Sequence, residues 1–107
     1  MPSRAGPPSL ARQLGARIRV LRQEAGVTQE RLAWDCELDK GYMSQVEAGK
    51  RIPSVPVLVL LAKRLEVEVA DLLALDLERP RLRLLDAARR GDREEVAAVL
   101  RQLELAE

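Results

Sequence analysis

The chain has no histidine, no phenylalanine and a single cysteine, and its aromatic residues number two, Trp34 and Tyr42. Each shortage excludes something. Without histidine the commonest acid–base group and a leading metal ligand are missing, and Cys36 alone can form neither an intramolecular disulfide nor a cysteine-rich metal site. No metal and no cofactor is therefore expected. No glycine-rich phosphate cradle is present either. Glu94 and Glu95, the most suggestive pair of acids, are sequence neighbours that point to different sides of a helix and read as solvated. The chain is expected not to be an enzyme. The longest apolar run, Val57 to Ala62, is far too short to span a bilayer. Met1–Ser9 is rich in proline and small residues but lacks a hydrophobic signal segment, so a cytoplasmic location is expected, with no membrane partner.

What remains is leucine, valine, alanine and charge. At 107 residues and 47% hydrophobic content, the chain can form one compact domain with an appendage. A core with so few aromatics must be built from Leu, Val and Ala, a composition that favours helices. An all-α fold is expected. Net charge is only +1, but it is unevenly spread. Residues 1–54 hold nine Lys/Arg against six Asp/Glu, and residues 55–107 hold nine against eleven, so the basic surplus lies in the first half. Such a small surplus is weak support for a nucleic-acid partner.

Periodicity supplies the elements. Leu10, Leu14, Ile18 and Leu21 recur at helical spacing up to Ala25, with Arg12, Arg17, Arg19 and Arg22 between them, and Gly26 reads as a left-handed stop. Thr28 caps a second helix whose apolar face holds Leu32, Ala33 and Cys36, the cysteine reading as a small core residue. After the turn Cys36-Glu37-Leu38, Asp39 caps a third helix that stops at Gly49, with Met43 and Val46 on its buried face. Ser54 caps a fourth, with Pro56 in its first turn and Leu58, Leu61, Ala62 and Leu65 as its buried stripe. A short fifth covers Val69–Ala74. Beyond Glu78-Arg79-Pro80 the pattern gives two more helices, separated by Gly91-Asp92: an αα-hairpin.

Two short helices joined by a tight turn, with Lys40, Ser44 and Gln45 on the open face of the second, form the layout that places a helix in the DNA major groove. The stretches LGARIRVLRQEAGVTQERLA, YMSQVEAGKRIPS and LLAKRLEV followed by DLL, in this order and spacing, resemble the lambdoid phage repressor and Cro family of transcriptional regulators, also called the xenobiotic-response-element type. The resemblance covers about sixty per cent of the chain, Leu10 to Leu75, and implies a five-helix lambda-repressor-like DNA-binding domain over residues 10–77, after a flexible arm over 1–9 that is either a tail or a DNA-contacting arm.

It also implies roles. The first turn of the third helix faces base edges, which assigns base contact to Lys40, Gly41, Ser44 and Gln45, with Lys40 donating to guanine O6 and N7. Gly41, having no side chain, would act through close approach of its backbone. Thr28, Gln29, Tyr42, Lys50 and Arg51 fall to phosphate contact. Lys40 can also be read as an ordinary solvated lysine, and Tyr42 as half-buried packing. Arg22 and Glu47 are implied as a structural, partly buried ion pair. Two positions depart from the family: Glu37 stands where a turn glycine is common, and Ala48 where some relatives carry Asn for a phosphate contact. Glu37 must either adopt a left-handed conformation or reshape the turn.

The hairpin over residues 78–107 superficially resembles the helix pair of one ankyrin-type repeat, and a lone repeat cannot bury its own face. Packing against its own copy would make Leu82, Leu85, Val96, Val99, Leu100 and Leu103 dimerisation residues; folding back on its own domain is the other reading. A homodimer would carry two recognition helices about 34–36 Å apart, suited to a palindromic operator. The functional expectation is a sequence-specific, repressor-like regulator bound to double-stranded DNA as a homodimer. The alternative is a protein-interaction module of the same fold, antitoxin-like or a developmental inhibitor, working through a regulatory protein partner. No small-molecule ligand is evident from the sequence.

Overall fold

Helices are the only regular elements among the residues described by the computed structural model, 9–106. They are α1 Leu10–Glu24, α2 Gln29–Asp35, α3 Lys40–Glu47, α4 Val55–Leu65, α5 Val69–Leu72, α6 Pro80–Arg90 and α7 Arg93–Ala106. Apart from Ser9, the expected N-terminal arm lies outside the described residues. Among them no helix is long and apolar enough to cross a membrane.

The starts of these helices follow from side-chain caps. Ser9, Thr28 and Ser54 each accept the backbone N–H three residues on, and the Asp39 carboxylate accepts those of Gly41 and Tyr42. Each satisfies a donor that the helix cannot pair internally. The ends share one device. After α1, α2, α3, α4 and α6 a residue with positive φ turns the chain, and paired backbone hydrogen bonds fold back onto the last turn. At the end of α2, for example, Glu37 N donates to Trp34 O and Leu38 N to Ala33 O, at 3.1 and 2.8 Å. Three of the five turning residues are glycines; the other two are Glu37 at φ +56° and Glu66 at φ +57°. The turn between α2 and α3 thus keeps its shape, and Glu37 adopts the left-handed conformation.

The chain divides into two units, one through Leu73 and one from Ala74. In the first, Leu14, Ile18 and Leu21 of α1 are buried together with Leu32 and Ala33 of α2, Met43 and Val46 of α3, the α4 stripe and Leu72. Gly15 brings α1 onto the end of α3: a β-carbon there would overlap the Val46 carbonyl oxygen and stand 2.8 Å from that of Glu47. Two expectations are corrected. Leu10, grouped with the apolar stripe of α1, is 56% exposed, because the first helical residue lies beyond the reach of the core. The fifth helix ends at Leu72 rather than Ala74: the Leu73 N–H is shared between Val69 O and Ala70 O, closing a single turn.

In the second unit Pro80 opens α6, whose fixed φ suits a first helical position. Asp92 starts α7 by accepting Glu95 N at 3.0 Å, and Arg83 joins Glu95 at 2.8 Å to tie the two helices. Asp86 is buried and paired with Arg89 and Arg90 one turn further on.

Candidate nucleic-acid interface

The third helix has two unlike faces. Met43 and Val46 are buried, whereas Lys40, Gly41, Ser44 and Gln45 are exposed and, at offsets of 1, 4 and 5 from Lys40, share one side of the helix. Beyond it, Gly49 lets the chain turn at φ +76° while Arg12 packs against it; a β-carbon at Gly49 would lie 2.7 Å from Arg12 Cα. Lys50 and Arg51 follow, both exposed. The Arg51 guanidinium lies 5.5 Å from the centre of the Tyr42 ring, so this half-buried tyrosine and this arginine form one cation–π unit at the edge of the α3 face.

At the end of α3 a polar cluster ties it to α1 and α2. Arg22 Nε and Nη2 donate to Glu47 Oε2 and Oε1 at 2.7 and 3.0 Å, a bidentate pair whose side chains are 11% and 4% exposed. Arg22 Nη1 also donates to Val27 O at 2.8 Å, so one guanidinium joins the end of α1, the approach to α2 and the end of α3. Gln29 Nε2 donates to Glu47 Oε1 at 3.1 Å. Gln29, assigned to phosphate from the sequence, is thus half-buried and engaged within the chain. Thr28, which shares that assignment, is exposed, and its hydroxyl oxygen serves as the α2 cap.

Charged partners that sequence reasoning missed surround the motif. Lys40 Nζ lies 2.7 Å from Glu30 Oε1 of α2. Arg17, which falls between the apolar positions in the periodic pattern of α1, is buried, with its Nε donating to Asp71 O at 2.8 Å. Asp35 joins Arg31 on its own helix and Arg64 of α4, the latter at 2.6 Å. The Arg64 hydrogen bond holds the Asp35 carboxyl below the usual aspartate range, with Arg31 adding to the effect and burial opposing it. Only Arg31–Asp35, at i,i+4 spacing, carried a local signal; the others join residues that are distant in sequence. Burial pushes the Cys36 thiol up, and its sulfur lies 3.7 Å from Leu60 O, a small buried residue at the end of α2.

The six residues named for dimerisation separate. Val99 is fully buried and offers no surface to a partner, a correction that follows from its place on the inner side of α7. Leu82, Val96 and Leu103 are half-buried, while Leu85 and Leu100 are 63% and 47% exposed. Leu82 and Leu103 also line a mostly apolar groove of about 460 Å³ with Arg79, Pro80 and Arg81.

Comparison with known proteins places this geometry. A family model described as a helix-turn-helix domain matches residues 13–75. The transcriptional regulator PrpR of Mycobacterium tuberculosis is 47% identical over 53 residues; the match takes in 50% of this chain but spans only 11% of PrpR. Among solved structures, the clp gene regulator ClgR of Corynebacterium glutamicum is similar at a TM-score of 0.60 and 31% identity, over 87% of this chain and 92% of that one. The restriction-modification controller protein C.Esp1396I, solved as a tetramer in complex with its natural 35 base-pair operator, is similar at a TM-score of 0.52 and 31% identity, over 63% of this chain and 99% of that one.

Proposed function

Since the chain belongs to the helix-turn-helix family of the lambda repressor and Cro type, we propose that it is a sequence-specific transcriptional regulator that binds a palindromic operator as a homodimer. The observation that carries this reading is the exposed face of α3, with Lys40, Gly41, Ser44 and Gln45 side by side and its C-terminal end held by the Arg22–Glu47 pair. A braced helix presents its side chains in one orientation, which base readout requires.

In this reading α3 enters the major groove. Lys40 donates to guanine, Ser44 and Gln45 reach neighbouring base edges, and Gly41 permits close approach. Thr28, the α2 start at Gln29, Tyr42, Lys50 and Arg51 meet the sugar–phosphate backbone on either side, the Tyr42–Arg51 unit presenting one charge and one hydroxyl together. Few side chains read bases, so each half-site is short and the second subunit supplies the remaining specificity. The apolar residues left open on the hairpin, Leu85 and Leu100, support a role for residues 78–107 in pairing the two copies. The operator-bound tetramer of the controller protein supports an oligomer on DNA. The regulator acts by occupying its site.

Selection of bound sequences from a random duplex pool tests the proposal. An enriched palindrome is expected, with binding that weakens steeply as salt rises and fails in the double variant Lys40→Ala, Arg51→Ala. A pool that shows no enrichment at low salt would refute it.

A further inference from the structure

Lys40 and Glu30 pair across the turn at 2.7 Å although their side chains are 69% and 70% exposed. Lysine carries its charge on a flexible four-carbon stem, and a free lysine at a helix start would sample many positions. The carboxylate narrows them. An ammonium group has three N–H donors. Glu30 engages one of them, leaving two, the number of acceptors that guanine shows in the major groove through O6 and N7. The Lys40 hydrogen bond and charge also hold the Glu30 carboxyl below the usual glutamate range.

We infer that Glu30 is a positioning residue for base readout: it orients the Lys40 ammonium toward guanine and withholds that charge from phosphates. The inference rests on the reading of α3 as the base-reading helix. Two effects follow, both raising the ratio of specific to non-specific binding. Orientation favours guanine over other bases at the position Lys40 faces. Neutralisation of Lys40, together with repulsion between Glu30 and the DNA backbone, weakens binding to DNA of any sequence.

The test uses the full chain and three duplexes: the selected operator, the same operator with the Lys40-dependent guanine changed to adenine, and a random sequence. Affinities are measured over a salt series for the wild type, Glu30→Gln, Lys40→Ala and the double variant. Both side chains are exposed, so melting midpoints should match the wild type. Glu30→Gln should bind random DNA more tightly, its log–log salt slope steeper by about one, as one more cation meets phosphate. Its preference for guanine over adenine should fall about fivefold or more. In the Lys40→Ala background, Glu30→Gln should leave base preference unchanged. A guanine preference retained in full by Glu30→Gln, or untouched by Lys40→Ala, overturns the inference while sequence-specific binding by the wild type still stands. A wild type that selects no sequence defeats the DNA-binding reading itself, and the inference with it.

Discussion

Gly15 sits where α1 meets the end of α3, with no room for even a methyl group. The Val46 and Glu47 carbonyl oxygens occupy the space, and backbone yields less readily than the tip of a side chain. Gly15→Ala should therefore destabilise the fold by about 3 kcal/mol, at the upper end for an overpacked site. A melting curve superimposable on the wild type would show that the contact is looser than described. Glu37 poses the opposite case. It holds φ +56° with an exposed side chain, so Glu37→Gly removes left-handed strain and little else. A gain of about 0.5–1 kcal/mol is expected in chemical denaturation. Glu47→Ala should lose about 3–5 kcal/mol, because it strands a mostly buried Arg22. An unchanged melting midpoint would mean that the pair contributes nothing.

At the scale of elements, the fold was largely legible in the sequence. Thr28, Asp39 and Ser54 announced helix starts and Gly26, Gly49 and Gly91 announced ends, because caps and left-handed turns demand particular residue types. Glu66 gave no such notice: nothing in its type marks the left-handed turn after α4. The face of α3 was legible as well, since helical spacing alone separates Met43 and Val46 from Lys40, Ser44 and Gln45. The company those residues keep was not. Glu30 beside Lys40, Arg17 on Asp71 and Arg64 on Asp35 are meetings between helices, and one-dimensional spacing carries no record of them.

The last of these links α2 to α4 and makes part of the fold sensitive to acid. The Asp35 carboxyl titrates lower in the folded chain than the ordinary value of about 3.9 of an unfolded one. Its contribution is thus complete above that unfolded value and is lost as pH falls through the lower, folded one. Melting points taken from neutral pH down to strongly acidic buffer should fall less steeply for Asp35→Asn than for wild type. Parallel slopes would show that Asp35 has no part in acid unfolding.

At the scale of the whole molecule, the net charge of +1 leaves no broad electrostatic pull toward DNA, so in the proposed homodimer affinity comes from a few placed side chains used twice. That makes association between copies as important as the motif. If the proposed homodimer pairs through the hairpin, Leu85→Glu together with Leu100→Glu, both at exposed positions, should leave helix content unchanged while shifting sedimentation from dimer to monomer and weakening operator binding more than tenfold, as expected when two linked contacts become one. A dimer that survives the double change would place the subunit contact elsewhere.

Trp34, the only tryptophan in the chain, is 76% exposed on α2, next to the turn that leads into α3. At that exposure its indole should emit from a watery environment already in the native state. Ultraviolet fluorescence is thus nearly blind to the melting of the core, and denaturation must be followed by circular dichroism. The same circumstance gives the protein a built-in optical reporter: a blue shift or quench appearing on mixing would signal another molecule arriving at the helix-turn-helix, against an almost silent background.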